Sequence, residues 1–476
     1  MLKIAPWAAL LTLSTLVNYT AAAADAQQVL SSAAKALGAE HLRSIEYSGS
    51  GYDFVLGQAP NVRSPWPKFN DKAYTRTVNF DPWETRLQRI RTQFENPPRG
   101  GGSQPIVGEQ SLTQVTVAAS AAAAALPDEL ALTLPQAFVK VASAAPDVSS
   151  KSQTKNGKTY SVVTFTARNK AQTRGWIDEQ GLVERVETSI DNPVLGDIKY
   201  EVTFADYKDF QGVKFPTHIV QKQAGYPVLD LNVTDVKPNV AVSLLAATSP
   251  TPPPLASERL GDGVYLIAGG YAAVAVAFKD HILIIEGGQN DQRSEAVITE
   301  AKRLIPGKPI KELVNTHAHF DHLGGVRAYV AEGATIITHD SNKAYYEKIW
   351  ANPHTLVPDR LSLNPRPASF KVVSDRLTLT DGSRVVEIYH LKDFGHNDGA
   401  IVAYLPKEKV LVEADAFNPP PAPITQTPAA INPYALSLGA NIERLHLDVE
   451  RIIPIHLPED NRPITLTEFH KAIGKA

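Results

Sequence analysis

The segment Thr316-His317-Ala318-His319-Phe320-Asp321-His322 places four side chains of metal-binding type within six consecutive positions. Two residues apart in an extended segment, His317 and His319 project to the same side, while Asp321 and His322 follow a turn and face the same cavity. One compact zinc site is satisfied by four donors including water. Four protein ligands in a single motif therefore favour two neighbouring ions, each completed by residues from elsewhere. A purely structural role is disfavoured, because four clustered polar groups without a metal are costly to bury.

Three later residues extend this pattern. His396 lies in the polar turn Gly395-His396-Asn397-Asp398-Gly399, Asp415 ends a strand-like run, and His456 follows the apolar run 452–455. All three stand where a predicted strand ends, and open α/β sheets place their binding sites there. We therefore expect all seven side chains to meet. A loop-capping role for Asp415 and a packing role for His456 are the structural alternatives.

The donor types restrict which metal the site would hold. The chain has no cysteine, so His and carboxylate must supply every ligand. An imidazole-rich site with a carboxylate and no thiolate suits Zn²⁺ first, with Fe or Mn as alternatives. We expect two Zn²⁺ ions per chain. One iron per chain with oxygenation of a sulfur substrate would instead indicate a dioxygenase.

The part of the chain around these residues, 258–476, alternates strand-like and helical segments. Val264–Ile267, Ala272–Phe278 and Ile282–Ile285 are apolar runs of strand length, and Asp291–Leu304 is predicted to be a helix. This alternation predicts stacked α/β layers.

The order of these motifs from Gly263 to His456 resembles the metallo-β-lactamase superfamily over this whole half of the chain. The resemblance implies an αββα sandwich with a binuclear centre. It also implies how the residues divide between the two metals. The first metal would be held by His317, His319 and His396, and the second by Asp321, His322 and His456. Asp415 would bridge the two.

Two positions depart from that family's pattern. Glu286-Gly287-Gly288 stands where the superfamily usually has Asp-x-Gly, so Glu286 keeps the charge of an acid that supports the metal loop but with a longer reach. The family usually places Gly after the position of His456, and here Leu457 follows.

The predicted site favours hydrolysis by a metal-bound hydroxide. Two bridged cations lower the pKa of a bound water from about 15.7 towards 7 and polarise a carbonyl or phosphoryl oxygen. Asp321 is the predicted catalytic residue, which orients the hydroxide or carries its proton to the leaving group. We expect a small-molecule substrate with an ester, lactone, amide or related bond. Activity on β-lactams is an alternative, although those enzymes carry Cys or Ser where this chain has Asp415.

The first half, residues 25–247, is predicted to be a mainly antiparallel β domain. A helix is expected at Ala26–Leu37, and the alternating segments that follow are separated by turn signals at Asn156-Gly157 and Gln180-Gly181. Pro97–Gly108 is predicted to be a mobile loop. The Ala-rich run Val117–Ala125 is predicted to be a helix that fills the concave face of the sheet.

The stretch from Phe204 to Pro216, preceded by the hairpin at Trp176-Ile177-Asp178, resembles the half-barrel of periplasmic lipoprotein carriers (LolA-like). This resemblance implies a groove for lipid or another apolar ligand. The alternatives are a β domain that only shields or positions the catalytic domain, and a carrier in which the metal domain is secondary.

The remaining features concern export and partners. Residues 1–24 combine Lys3, a short apolar run and small residues up to Ala24, which predicts a cleaved signal peptide and a periplasmic or secreted protein. A Pro-rich linker is predicted at 248–257. The net charge of −3 and the lack of a basic patch disfavour nucleic acid, and no later run is long enough for an integral membrane segment.

The insertion between His322 and His396 carries an aromatic stretch with Tyr345, Tyr346 and Trp350. We expect Trp350 to contact the substrate pocket. A packed surface helix is the alternative for this stretch.

Overall fold

A computed structural model of the chain describes residues 25–118, 120–244, 255–458 and 460–475. The predicted signal peptide at 1–24 lies outside the described residues, and so does most of the predicted linker, residues 248–254. The strand that follows the linker begins at Ala256. No helix in the described ranges is long and apolar enough to cross a membrane.

The N-terminal half is built on one antiparallel sheet of 11 strands, in the order β4-β3-β2-β1-β11-β10-β9-β8-β7-β6-β5. Its strands are β1 Ser44–Phe54, β2 Lys68–Phe80, β3 Trp83–Gln93, β4 Gln110–Thr116, β5 Ser149–Lys155, β6 Lys158–Thr166, β7 Gln172–Asp178, β8 Val183–Asn192, β9 Gly196–Phe210, β10 Val213–Gln223 and β11 Tyr226–Pro238. Its helices are α1 at 25–36, α2 Leu126–Ala131 and α3 Pro135–Ala144. The antiparallel β architecture predicted from alternating side chains is confirmed.

The predicted turns are present, with left-handed backbone at Asn156 (φ 53°) and Gly157 (φ 77°) between β5 and β6. Helix α1 matches the prediction for Ala26–Leu37 closely, and its buried residues Ala26, Leu30 and Ala33 pack on the sheet.

The prediction for Val117–Ala125 is wrong. Apart from residue 119, which is not described, the segment forms a turn and one short 3₁₀ helix at Ala121–Ala124, and α2 begins at Leu126. A run of alanines has high helix propensity but little apolar surface to bury, and tertiary packing supplies most of the stability of short helices. Helices α1 and α3, which carry larger apolar side chains, pack on the sheet instead.

The C-terminal half contains two further sheets that pack face to face. The first has the order β12-β13-β14-β15-β16-β17-β18, and the second has the order β19-β20-β21-β22-β23-β24. Their strands are β12 Ala256–Gly261, β13 Val264–Ala268, β14 Ala273–Ala277, β15 Ile282–Ile285, β16 Ile310–Val314, β17 Thr335–His339, β18 Ser369–Val373, β19 Arg376–Thr380, β20 Val385–His390, β21 Ile401–Leu405, β22 Val410–Glu413, β23 Arg451–Pro454 and β24 Ile464–Thr465.

Helices cover both outer faces of this pair of sheets. They are α4 Asp291–Leu304, α5 Phe320–Leu323, α6 Val326–Glu332, α7 Asp340–Trp350, α8 Arg360–Leu363, α9 Pro433–Arg444 and α10 Leu466–Ala472. One apolar core lies between the two sheets, a second lies between the first sheet and α4, α6 and α7, and a third lies between the second sheet and α9 and α10. The layers are therefore αββα, as predicted, and α4 has the predicted bounds.

The two halves contact each other directly. Asp197 of β9 accepts hydrogen bonds from the Thr355 backbone N–H (2.7 Å), the Thr355 hydroxyl (2.6 Å) and the Leu356 N–H (3.2 Å). The Pro97–Gly108 segment is a loop, as predicted, and it lies against the C-terminal half: Gly100 N donates to Gly395 O at 3.2 Å, and Tyr434 Oη donates to Gly100 O at 3.1 Å.

Candidate metal centre

The seven side chains singled out in the sequence meet at one edge of the sandwich. His317 and His319 follow β16, Asp321 and His322 lie in α5, and the other three come from loops after β20, β22 and β23. The cluster contains two groups of residues, and within each group the atoms that could bind a metal lie within 4.8 Å of one another. The groups are His317, His319, His396 and Asp415; and Asp321, His322, Asp415 and His456.

Asp415 belongs to both groups and lies between them. Its Oδ2 is 3.3 Å from His317 Nε2, 3.3 Å from His396 Nε2 and 2.8 Å from His322 Nε2. Its Oδ1 is 3.0 Å from His456 Nε2. One carboxylate therefore faces four imidazoles and belongs to both groups.

The backbone that presents Asp415 is left-handed, with φ 61°, an unfavourable conformation for a non-glycine residue. Buried Glu413 braces this turn, because its Oε2 accepts hydrogen bonds from the N–H groups of Ala416 (2.9 Å) and Phe417 (3.2 Å). Burial raises the pKa of the Glu413 carboxyl to about 8.

The three imidazoles of the first group each have a buried nitrogen without a hydrogen-bond partner within the described structure, as a metal ligand would. Buried nitrogens without a partner include His317 Nε2, His319 Nδ1 and both ring nitrogens of His396. Orphaned polar atoms of this kind are rare in protein interiors and require an explanation. A shared explanation is that one nitrogen of each of these rings carries a lone pair placed for a metal ion.

The electrostatics of the cluster keep two histidines neutral. Burial, together with neighbouring imidazoles, lowers the pKa of His317 well below its ordinary value and that of His319 to about 3. A neutral imidazole is the form that binds a metal. Burial also acts against charge on His322, but the carboxylates of Asp415, Asp321 and Glu286 outweigh it and raise the pKa of His322.

Glu286 lies beneath the motif, as expected for a supporting acid. Its Oε2 accepts a hydrogen bond from the Thr316 hydroxyl at 2.5 Å and lies 3.5 Å from His322 Nδ1. The Thr316 oxygen is in turn 3.1 Å from His317 Nδ1, so it holds that nitrogen and leaves Nε2 facing Asp415. Contacts of this kind orient the ligands of a metal.

Sequence reasoning missed several groups that contact the cluster, and three of them contact Asp321 or His319. Tyr271 Oη donates to Asp321 Oδ2 at 3.0 Å, Gln58 Nε2 donates to Asp321 Oδ1 at 2.8 Å, and the Ala59 carbonyl lies 2.8 Å from His319 Nε2. Gln58 and Ala59 belong to the β1–β2 connection, residues 55–67, which we call the Gln58 loop. No local motif marks these residues, and only the folded arrangement of the two halves brings them to the site.

Beside the cluster lies a cavity of about 570 Å³ between the two halves. Asp321, His396, Asp415 and His456 line one wall, and the N-terminal half supplies the opposite wall. The lining residues from that half include Val55, Gln58, Phe69, Arg91, Ile106 and Gln110.

Trp350 does not line this cavity. Its ring stacks on Phe370, with centroids 5.6 Å apart and planes 11° apart, and it packs beside Tyr346. The alternative, a packed helix, describes this residue better than the expected pocket contact. Tyr345 of the same helix lines a neighbouring cavity of about 560 Å³ that also borders His319.

Comparison with protein families matches residues 267–456 to the Metallo-beta-lactamase superfamily. Among curated proteins, a linear primary-alkylsulfatase of a Pseudomonas species is 41% identical over 51 residues. This match spans 11% of the present chain and only 10% of the relative's length.

Solved structures of two metallo-beta-lactamases also match. The protein from Pontibacter korlensis is 18% identical, with 47% of this chain and 98% of that chain covered and a TM-score of 0.35. The protein from Hirschia baltica is 17% identical, with 47% and 97% covered and a TM-score of 0.35.

Proposed function

From the premise that residues 267–456 form a domain of the metallo-beta-lactamase superfamily, we propose that this chain is an exported, metal-dependent hydrolase with a binuclear zinc centre. The observation that carries the proposal is the pair of ligand groups that share Asp415. Each group supplies histidine and carboxylate donors, and the shared carboxylate spans both.

In this proposal the seven residues of the cluster divide into two sets of metal ligands and one bridging residue. His317, His319 and His396 would hold one ion, Asp321, His322 and His456 would hold the other, and Asp415 would bridge them. When bound, such ions supply Lewis acidity, which lowers the pKa of a water and offsets negative charge that develops on the substrate. Fe or Mn is the alternative to Zn²⁺ for the same donors.

Asp321 is the residue that we propose as the proton carrier. Its two oxygens accept hydrogen bonds from Gln58 (2.8 Å) and Tyr271 (3.0 Å), so its plane is fixed at the edge of the cavity. Burial raises its pKa, but nearby His322 outweighs this effect and lowers the pKa below its ordinary value. An ionised carboxylate held in this way can accept a proton from the nucleophile and pass it to a leaving group.

The substrate that we propose is a small molecule with an ester, lactone, amide or related hydrolysable bond. The cavity wall opposite the metal ligands is mixed: Val55, Phe69 and Ile106 are apolar, and the polar groups on that side come from Gln58, Arg91, Ser103 and Gln110. The short match to an alkylsulfatase adds alkyl sulfate esters to the bonds worth testing. β-Lactams remain a further candidate.

A carrier function is a second candidate that the packing of the N-terminal sheet disfavours. The sheet face that would hold an apolar ligand is packed by α1 and α3, whose Leu30, Ala33 and Phe138 are fully buried. An apolar ligand would have to displace these side chains.

The test is turnover of a substrate panel by the full chain and two variants. The panel contains a lactone, a carboxylic ester, a thioester, a β-lactam and an alkyl sulfate. We expect at least one member to be hydrolysed, and His319→Ala and Asp415→Asn to lower kcat/KM by more than about 100-fold. His446→Asn is the matched control, because His446 is exposed, lies outside both ligand groups and has a left-handed backbone that Asn tolerates.

Two results would contradict the proposal. Turnover that survives both substitutions would show that the two-metal mechanism is wrong. Co-purification of an apolar ligand, with no member of the panel hydrolysed, would favour the carrier function.

A further inference from the structure

The Gln58 loop crosses from the N-terminal sheet to the metal centre of the other half. It connects β1, which ends at Phe54, to β2, which begins at Lys68. Gln58 and Ala59 contact two residues of the metal-binding motif, Asp321 and His319, at 2.8 Å each. A segment more than 250 positions away in sequence thus reaches two of the proposed ligands.

We propose that the Gln58 loop is a positioning element of the metal centre, in which the Ala59 carbonyl orients His319 and the Gln58 carboxamide orients Asp321. The inference rests on the proposed function, because it takes both residues as metal ligands. It assigns the N-terminal half a direct part in building the site.

The Ala59 carbonyl selects the tautomer of His319. A carbonyl oxygen only accepts hydrogen bonds, so His319 Nε2 carries the proton and donates it to Ala59 O at 2.8 Å. The other nitrogen, Nδ1, is then an unprotonated lone pair, and it is buried without a partner in the described structure. Metal-binding histidines typically donate their second nitrogen to a carbonyl or carboxylate in this way.

Asp321, the second proposed ligand that the loop contacts, is held by the side chain of Gln58 rather than by a backbone carbonyl. The Gln58 amide Nε2 donates to Asp321 Oδ1, and Tyr271 Oη donates to the other oxygen, Oδ2. Tyr271 comes from the C-terminal half, just before β14, so Asp321 is clamped between the two halves. Removing Gln58 would leave the carboxylate with one of its two orienting hydrogen bonds, the bond from Tyr271.

The backbone around Gln58 is itself held on both sides. Gly101 N of the Pro97–Gly108 loop donates to Gln58 O at 3.1 Å, and Phe320 N donates to Gly57 O at 3.2 Å. Asp398 N donates to Pro60 O at 2.7 Å. These hydrogen bonds fix the position of the loop relative to His319 and Asp321, as accurate positioning of a metal ligand requires.

Gly57 allows this close approach. Its backbone is left-handed (φ 82°), and a Cβ built there would lie 2.2 Å from Cγ of Phe320, the residue between the two ligands His319 and Asp321. No side chain fits in that space. The loop therefore needs glycine at this position to rest on the motif.

The direct test is metal affinity of the full chain, measured by competition with a chromophoric zinc chelator. Gln58→Met keeps the length of the side chain and removes its hydrogen-bond donor. We expect the zinc ion held by Asp321, His322 and His456 to bind about 10- to 100-fold less tightly, the range typical for loss of a group that orients a ligand. Unfolding of the metal-free protein should change little, which separates positioning from a general structural role.

Asn352→Ala is the matched control, because it removes an interdomain hydrogen bond, from Asn352 Nδ2 to Leu195 O at 2.8 Å, that involves no proposed ligand. Its zinc affinities should stay within about twofold of the parent chain. Gly57→Ala tests the Ala59 contact, which no side-chain substitution removes. The added methyl group should push the loop away from Phe320 and weaken the binding of both ions.

The possible results distinguish a failure of the positioning role from a failure of the proposed metal-dependent function. If the parent chain binds no zinc, the metal-centre function itself is wrong. If the parent binds two ions, and Gln58→Met and Gly57→Ala bind them with parental affinity, only the positioning role is overturned. Equal weakening by Gln58→Met and Asn352→Ala would also overturn it, because docking of the halves alone would then set the affinity.

Discussion

At the scale of single residues, the cluster assembles seven side chains from four separated places in one half of the chain. The motif at residues 317–322 predicted its own four ligands because they are close in sequence and share a local geometry. His396, Asp415 and His456 were found because they follow strands. Gln58, Ala59 and Tyr271 left no such signal, since a single amide, carbonyl or hydroxyl becomes recognisable only when folding brings it to a ligand.

A buried carboxyl in the N-terminal sheet carries a pH dependence of its own. Asp71 is 2% exposed, and neither of its oxygens has a hydrogen-bond partner among the described residues. Burial, reinforced by the charge of Asp53, raises the pKa of Asp71 to about 6. Because the folded-state pKa lies above the unfolded value, the folded protein binds the extra proton, and stability is lost as pH rises through about 6.

Asp71→Asn should therefore stabilise the protein, and more so at about pH 8 than at about pH 4.5. We expect a gain in the free energy of unfolding of roughly 1 to 2 kcal/mol at the higher pH, after allowing for screening by nearby arginines. Urea unfolding of both proteins at the two pH values measures it. A gain that is equal at both pH values, or a loss that grows with pH, would contradict the assigned charge state.

At the scale of elements, patterns with large apolar side chains predicted structure better than propensity alone. The bounds of β15 and α4 match their predictions because buried branched residues and the Asn290 cap mark them. The helix predicted for the alanine run did not form as expected, because high helix propensity without large apolar side chains does not determine how a segment packs. The resemblance of the N-terminal half to lipoprotein carriers lies outside the residues that the family match covers, and it stays a prediction.

Helix α3 provides a test of how the N-terminal sheet is filled. Phe138 is fully buried, and its ring lies so close to Gly175 of β7 that a Cβ there would be 2.1 Å from Phe138 Cζ. Phe138→Ala should lower the free energy of unfolding by about 3 to 5 kcal/mol, through lost burial and a new cavity. Chemical denaturation measures the change. A loss below about 1 kcal/mol would mean that this face is not packed as described and has room for a ligand.

At the scale of the whole molecule, two halves share one site. The proposed ligands come from the sandwich, while the opposite wall of the cavity and the Gln58 loop come from the N-terminal half. Sequence patterns predicted each half separately. They did not predict the interface, because the contacts join loops whose spacing in sequence carries no information about their distance in space.

Asp197 tests whether the halves depend on each other. Its carboxylate accepts three hydrogen bonds from Thr355 and Leu356 across the interface. Asp197→Ala should reduce the free energy of unfolding by about 1 kcal/mol, because it removes three hydrogen bonds at a part of the interface that water reaches. Scanning calorimetry should show a lower melting temperature, with the transition broadened or split.

The pH dependence gives this prediction its control. Burial acts to raise the pKa of Asp197, but the Thr355 and Leu356 hydrogen bonds outweigh it and lower the pKa below its ordinary value. The stabilisation is therefore present above the unfolded pKa of about 4 and is lost as pH falls through the folded value. A difference between parent and variant that persists in strong acid would contradict this origin.

Native mass spectrometry of the full chain tests most directly whether the seven clustered residues hold two metal ions. After loading with zinc and removal of the excess, the parent chain should carry two zinc ions. Asp415→Asn should carry at most one, because the shared carboxylate is lost. A parent chain that carries no ion, or only one at saturating zinc, would contradict the binuclear centre.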